Sequence, residues 1–388
     1  MAYSAAALTS AETTGFDNDK PLFVVQSLQS SSLSDAHWNT GGQHTDTDTT
    51  DASFPASRAV DDVGSLQTQA ATSTFATVSG ATQANPCVIT ATGHPFSNGD
   101  FIYFYDVGGM TDLNYTTAGG SHNIYEVANK TTNTFELSGV NSTGFDAYTS
   151  GGRAEIVKFY NIDTGSSASS KVSFDTLLLL NHDFSASLNV VVEIADNSTF
   201  TSNKIEVARR TSSGSTDTGR WLITNLNSAG TGSTYSSSGT AQRYSDVQYI
   251  RLVVVGRYSA LGEFFLGTRY QLQRNPNLSW NNKDEISGVT DFQTRTGLTK
   301  RYVYYRGQAV RNVIMGMGDS AEIAVIDNWF NAINEGTRPF LWIDTPTSGA
   351  EARLMLLDDA GLNFPLVGPF ERQLAFSMTE QPPFLSRE

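Results

Sequence analysis

One stretch near the C-terminal end places apolar residues at helical spacing. The pattern predicts an amphipathic helix over residues 319–335, with one face against an apolar sheet. Asp319 and Glu322 can form a capping box at its start, and Gly336 can end it. The apolar run 338–343 then predicts a buried strand. The apolar stripe of the predicted helix consists of Ile323, Ile326, Trp329, Phe330 and Ile333.

Elsewhere the chain consists of short apolar or alternating runs separated by Gly, Asn, Asp and Ser, which is typical of β-strands and turns. We therefore expect a mainly β, multidomain fold. Changes in composition and in the pattern of apolar and polar residues predict four units. They are an N-terminal arm with one strand (1–50), a β-sandwich (51–83 and 154–275), a small β-barrel inserted into it (84–153), and a C-terminal β domain with one packed helix (276–388).

The predicted barrel has strands at 87–90 and 101–105, with an Asn-Gly turn between them. Three of its segments, 89–100, 107–114 and 133–140, closely resemble a small β-barrel module related to the FCCH domain of ubiquitin-activating enzymes. That module recurs in structural proteins of bacteriophages. The resemblance covers about a fifth of the chain, and it implies a class of protein without implying a reaction.

The units on either side of the barrel carry further resemblances. The order of the segments 159–165, 176–182, 249–254 and 262–267 resembles the discoidin or galactose-binding-like sandwich, and 52–61 resembles the opening segment of that fold. The segments 294–297, 336–341 and 378–382 resemble the tail-tube and distal-tail fold of long-tailed phages. Domains of that fold form rings, so the resemblance implies self-association.

Composition narrows the classes of partner. The chain has 388 residues, with 25 Lys and Arg against 39 Asp and Glu, and this net charge of −14 argues against general nucleic-acid binding. No apolar run approaches the ~20 residues of a membrane span. The N-terminal residues lack the pattern of a signal peptide, which predicts synthesis in a cytoplasm. The single cysteine, Cys87, excludes an internal disulfide and is interpreted as a small buried side chain.

No residues form a convincing active site. Gly318-Asp319-Ser320 resembles the start of the nucleophile block of a lipase-like hydrolase family, whose histidine base lies near the C-terminus. All five histidines of this chain precede Ser320, so we interpret the segment as a helix start. Asp358 and Asp359 are adjacent, and on a strand their side chains would point to opposite faces. We therefore predict a protein that is not an enzyme and has no catalytic, cofactor-binding or metal-ligating residues.

Carbohydrate binding is a second hypothesis, because galactose-binding-like sandwiches often bind sugars through their loops. Trp38, Trp221 and Tyr235 lie in sequences typical of loops or strand edges, where an aromatic ring can stack on a sugar. Aromatic residues in such places also serve packing and interfaces, and that alternative stays open.

Together the resemblances predict a structural protein of a tailed-phage virion, located at the distal tail, tail tip or baseplate. Its expected partners are further copies of itself in a homo-oligomeric ring and other tail proteins. A module that binds host-surface carbohydrate is the alternative, and a depolymerase or esterase acting on surface glycans is the third.

Overall fold

The protein is mainly β, with several antiparallel sheets and one α-helix among its described residues, which confirms the predicted fold class. The computed structural model describes residues 4–7, 22–28, 33–40, 50–61, 66–70, 74–115, 123–184, 189–211, 220–223, 226, 242–256, 260–271, 284–293, 299–317, 320–343, 352–358, 362 and 372–381.

The described strands are numbered in chain order. The first fourteen are β1 (Ser4–Ala7), β2 (Leu22–Gln26), β3 (Asp35–Thr40), β4 (Thr68–Gln69), β5 (Phe75–Thr77), β6 (Gly80–Ala81), β7 (Cys87–Thr90), β8 (Phe101–Tyr105), β9 (Tyr125–Ala128), β10 (Thr134–Leu137), β11 (Arg153–Ile156), β12 (Lys158–Asp163), β13 (Val172–Phe174) and β14 (Thr176–Leu180). The remaining strands are β15 (Asn189–Ala195), β16 (Ile205–Thr211), β17 (Arg220–Ile223), β18 (Gln242–Val247), β19 (Tyr249–Val255), β20 (Ala260–Leu261), β21 (Glu263–Gln271), β22 (Asp284–Gln293), β23 (Thr299–Met317), β24 (Phe340–Ile343), β25 (Ala352–Leu357) and β26 (Arg372–Glu380). Helix α1 spans Ser320–Ala332, and short 3₁₀ turns occur at Ala56–Val60 and Thr111–Leu113.

A β-sandwich forms the middle of the molecule. One layer is a five-stranded sheet in the order β16-β15-β19-β12-β3, and the facing layer is the β17-β14-β21 end of a nine-stranded sheet. Alternate residues of each strand meet in a shared core, as the twofold periodicity of a strand requires. Tyr160, Leu252 and Phe264 are among its fully buried members.

The nine-stranded sheet continues from the sandwich into the C-terminal region, in the order β17-β14-β21-β2-β24-β25-β26-β23-β22. Strand β2 pairs with β21 on one side and with β24 on the other. The close approach of β2 to β21 depends on Gly267, because a Cβ atom there would lie 2.6 Å from the carbonyl oxygen of Val25. Val24, Phe265 and Leu341 are among the residues buried on the reverse face of this sheet.

The expectation of an N-terminal arm with a single strand is therefore wrong. Residues 1–50 contribute β1, β2 and β3 to three different sheets. Strand β1 pairs with β18 in a small three-stranded sheet, and β3 forms an edge of the five-stranded sheet. The predicted sandwich and C-terminal domain are likewise joined by one continuous sheet.

Helix α1 covers the C-terminal part of this sheet through the predicted apolar stripe. Ile326, Trp329 and Ile333 are fully buried, while Ile323 and Phe330 are partly buried against the same cluster. The helix and the five-stranded sheet lie on the same face of the nine-stranded sheet. Phe23 of β2 packs in the cluster under the helix and pairs with Tyr270 of β21, and residues paired across neighbouring strands share a face.

Helix α1 ends at Ala332, three residues before the predicted end at residue 335, and Asn334 and Glu335 already have positive φ. Gly336 has a φ of +86°, a conformation that favours glycine, and the chain then enters β24. The predicted cap Asp319 lies outside the described residues. The strand before the helix, β23, is 19 residues long.

The barrel is a seven-membered sheet in the order β5-β11-β8-β9-β10-β7-β6. Its two ends, β5 and β6, are parts of one short segment separated by Val78 and Ser79, so the sheet closes on itself and leaves no free edge. Its core contains Cys87, Phe104 and Phe135, all 0% exposed. The predicted start at residue 84 is wrong by one segment, because β5 and β6 close the barrel and do not belong to the sandwich.

Candidate functional site

The barrel is attached to the outer face of the five-stranded sheet. Tyr103 and Tyr115 of the barrel lie in an apolar cluster with Val191, Val253 and Val255 of the sheet. This contact explains why β19 is apolar on both faces: one face lies in the sandwich core, and the other lies under the barrel. The amide Nδ2 of Asn189 in β15 donates a hydrogen bond of 2.6 Å to the Tyr115 hydroxyl.

A groove with a volume of about 430 Å³ lies beside this contact, between the barrel and the sheet. Both units contribute walls, and the sheet also contributes a cluster of charged side chains. The residues that line the groove are Phe101 and Ile124 of the barrel, and Phe159, Val191, Glu193, Lys204, Glu206, Arg209, Arg251 and Val253 of the sandwich side.

Arg251 lies at the centre of the charged cluster, with a side chain that is 2% exposed. Its Nε and Nη2 both donate to Glu193 Oε2, at 2.7 Å and 2.6 Å. Its Cζ lies 4.9 Å from the ring centroid of Phe159 and 4.2 Å from that of Phe200, in cation–π geometry. Burial lowers the pKa of the guanidinium, and the neighbouring Glu193 carboxylate opposes that shift.

A second arginine repeats this arrangement on β16. Arg209 donates from Nε to Glu206 Oε1 at 2.5 Å, and its Nη2 is paired with the other oxygen of the same carboxylate. Burial raises the pKa of Glu206, while the hydrogen bonds and charge of Arg209 lower it. Lys204 lies 3.5 Å from Glu193 Oε1 and adds a third cation to two carboxylates.

A separate buried pair occupies the junction where the barrel ends and β12 begins. The Lys158 ammonium is fully buried and donates to the Gly256 carbonyl oxygen at 3.0 Å, and Asp183 Oδ1 accepts from the Ala260 amide at 2.9 Å. Burial lowers the pKa of Lys158 to about 8 and raises the pKa of Asp183 to about 6, and the charge of each group opposes the shift of the other. This pair fastens two loops at the junction.

The sequence-predicted sugar contacts do not line the groove. Trp38 lies on the edge strand β3, but its side chain is 0% exposed and its indole Nε1 donates to Thr68 Oγ1 at 3.1 Å. It faces the sandwich core, so it cannot stack on a sugar, and this expectation is corrected. Trp221 lies on β17, but its side chain lies outside the described part of the structure, as does Tyr235.

The groove residues were missed by the sequence analysis, although one of them left a signal. Arg251 interrupts the otherwise apolar run of β19, and a charge within a buried strand requires a partner. That partner, Glu193, lies 58 residues earlier on β15. A paired strand is needed to bring the two together, so the pair could not be identified from local sequence.

Two findings bear on other kinds of site. Within the described ranges, no group of three or more His, Cys, Asp or Glu side chains is placed to hold a metal ion. No described helix is long and apolar enough to cross a membrane.

Residues 83–158 match the family model described as the ubiquitin-activating enzyme E1 FCCH domain. The matched range covers β7 to β11 and therefore most of the barrel. The barrel is similar to an FCCH domain. This match confirms the resemblance stated for the barrel, and it covers about a fifth of the chain, so it describes the FCCH-like barrel and not the whole protein. No curated protein matches the chain.

Proposed function

We propose that this protein is a structural component of a tailed-phage virion, which forms or decorates an oligomeric ring at the distal tail, tail tip or baseplate. The observation that carries the proposal is the FCCH-like barrel, because modules of this type recur in phage structural proteins. The continuous sheet with a helix across its C-terminal part agrees with the expected tail-tube or distal-tail likeness.

The geometry also offers a ring contact. Strand β22 pairs with residues 299–310 of β23, whereas β26 pairs with residues 310–317. Most of the β22-β23 hairpin therefore extends beyond the rest of the sheet as a two-stranded ribbon. A two-stranded ribbon is marginally stable by itself, and the outer edge of β22 has no pairing partner among the described strands. In this proposal, the ribbon of one subunit pairs with the neighbouring subunit in a head-to-tail interface that closes a ring.

The experiment compares the assembly of two forms of the full chain, with mass measurement and negative-stain imaging of each. We expect the unaltered chain to form closed rings. We expect a variant in which residues 288–305 are replaced by a two-residue Gly-containing turn to stay folded and monomeric, because only the ribbon is removed. Mass spectrometry of purified virions should detect the chain in mature particles.

Two results would contradict the proposal. One is a chain that is absent from mature particles, and the other is a full-length chain that remains monomeric at about 100 μM, since a specific assembly interface is populated well below that concentration. Rings that survive removal of the ribbon would retain the virion assignment but refute the proposed contact.

A further inference from the structure

The groove between the barrel and the five-stranded sheet has polar groups that a ligand can reach. The two arginines contribute little, because the Arg251 side chain is 2% exposed and Arg209 directs Nε and Nη2 to Glu206. The side chain of Lys204 is 44% exposed, and those of Glu206 and Glu193 are 25% and 13% exposed. A ligand therefore meets one ammonium group and two carboxylates.

These three groups can form further hydrogen bonds. Lys204 Nζ has three donors and lies 3.5 Å from Glu193 Oε1, which is longer than an ordinary hydrogen bond. Glu193 Oε2 accepts both bonds from Arg251, so Oε1 can accept from another donor. Each oxygen of Glu206 accepts one bond from Arg209 and has a second lone pair. The groove thus presents a donor and acceptors side by side.

The signs of these charges favour a neutral ligand. An anion bound to Lys204 lies beside the carboxylates of Glu193 and Glu206, and a cation bound to the carboxylates lies beside Lys204. Either ion is repelled by a like charge of the same groove. A hydroxyl group is neutral and both donates and accepts. Two neighbouring hydroxyls can satisfy both groups, because one accepts from Lys204 Nζ while the other donates to Glu193 Oε1.

The other walls of the groove are apolar. Phe101 and Ile124 of the barrel are partly buried, and Phe101 meets Phe159 edge to face with ring centroids 6.2 Å apart. Val191 and Val253 extend this surface on the sheet. The volume of about 430 Å³ lies within the range of small-molecule sites, and the groove is half open to solvent. A ring with an apolar face and hydroxyl groups at its edge fits these walls, and a chain of such rings can continue into solvent.

We propose that the groove between the FCCH-like barrel and the five-stranded sheet binds a neutral sugar unit of a glycan. The C–H face of the pyranose ring lies against Phe101 and Ile124. Two neighbouring hydroxyls bind Lys204 and Glu193, and a further hydroxyl donates to Glu206. The site requires neither a ring assembly nor a virion, so its test is independent of the proposed function.

The test is a titration of the full-length protein by ligand-detected NMR and calorimetry. The probes are the methyl glycosides of glucose, galactose, mannose and N-acetylglucosamine, with maltose as a longer chain. Methyl glucuronide and methyl glucosaminide are the charged comparators, and tetrahydropyran is the ring without hydroxyl groups. We expect saturable binding of at least one neutral sugar with a Kd of about 10 mM or lower. The charged sugars should bind more weakly, and tetrahydropyran should not bind.

Variants locate the binding. Lys204→Met keeps the length of an exposed side chain but removes its donors, and it should weaken sugar binding by about tenfold or more. Lys130→Met is the matched control, because Lys130 is exposed on the barrel outside the groove, and it should leave binding unchanged. Ile124→Ala tests the apolar wall independently and should weaken binding about threefold or more. A thermal scan of each variant confirms that it is folded.

Three results would overturn the proposal. They are the absence of saturable binding by every neutral probe up to about 50 mM, tighter binding of either charged sugar than of all neutral ones, and undiminished binding by the folded Lys204→Met variant. Equal binding of tetrahydropyran and the neutral sugars would also refute the assigned hydroxyl contacts.

Discussion

The barrel and the nine-stranded sheet are both closely packed β structures, but they take their strands from the chain in different ways. The barrel uses one segment, from Phe75 to Ile156, and its first and last strands lie side by side. The nine-stranded sheet joins strands from Leu22 to Glu380, with an N-terminal strand between strands of the middle and C-terminal parts. The barrel is therefore a local unit, whereas the sheet makes distant parts of the chain depend on one another.

The strongest test of this difference is Trp329→Asp. Trp329 is fully buried and stacks on Phe23 of β2 at a centroid distance of 4.3 Å. An unpaired charge there should cost about 5 kcal/mol or more in free energy of unfolding. Because β2 also pairs with β21, we expect hydrogen–deuterium exchange to increase in the C-terminal strands and the sandwich, while the barrel stays protected.

Asn328→Asp introduces the same carboxylate at the adjacent exposed position and should leave exchange unchanged. If Trp329→Asp left β14 and β21 fully protected while β24 became exposed to exchange, the two regions would be independent and the comparison would fail.

The reciprocal test is Phe135→Ala in the barrel core. Phe135 is fully buried and contacts Phe96 edge to face at 5.6 Å. The cavity should cost about 3 to 5 kcal/mol, and the increase in exchange should stay within residues 75–156. Val88→Ala, at a half-buried position of β7, is the control with a smaller expected loss. An equal increase in exchange in the nine-stranded sheet would show that the barrel is not a separate cooperative unit.

The smallest expected effect concerns the junction where the barrel ends and β12 begins. The pKa of Asp183 is raised from 3.8 to about 6, so the folded state binds more protons than the unfolded state between these pH values. Its contribution to stability is therefore present at low pH and is lost as the pH rises through about 6. Asp183→Asn keeps an oxygen that can accept from Ala260 and should remove about 2 kcal/mol of this pH dependence between about pH 4 and pH 7.

Chemical denaturation at several pH values measures this effect. Lys158 titrates at higher pH, where its pKa is lowered to about 8, so the two contributions separate along the pH axis. If the free energy of unfolding of the wild type and of Asp183→Asn depended on pH in the same way across the acidic range, Asp183 would not be the cause of this pH dependence.

The same difference between regions explains what the sequence predicted. Strand β7 was predicted with its observed bounds, and β8 likewise, because tight turns and alternation are local signals. The stripe on α1 was likewise readable from its spacing, because the residues of one helical face are close in sequence. The apolar run at residues 22–26 accounts for the one strand predicted in the N-terminal arm, but its partners lie at 263–271 and 340–343, and its apolar character does not specify those partners.

The candidate groove could not be predicted for a related reason. Its walls come from the barrel and from four strands of the sandwich, and its arginine pairs form only after those strands align. Trp38 shows the converse error: its sequence suggested a loop or a strand edge, and β3 is an edge strand, but pairing of β3 with β12 turns its ring into the core. Side-chain orientation on an edge strand follows register, which the local sequence does not fix.

The position of β2 has a consequence for the order in which the chain can fold during synthesis. Strand β2 emerges from the ribosome early, but its partner β24 begins at Phe340, more than 300 residues later. At roughly 5 to 20 residues per second, one side of β2 stays unpaired for roughly 15 to 60 seconds. The C-terminal strands then complete the sheet to which β2 belongs, so a prematurely terminated chain cannot close this sheet and keeps one edge of β2 unpaired.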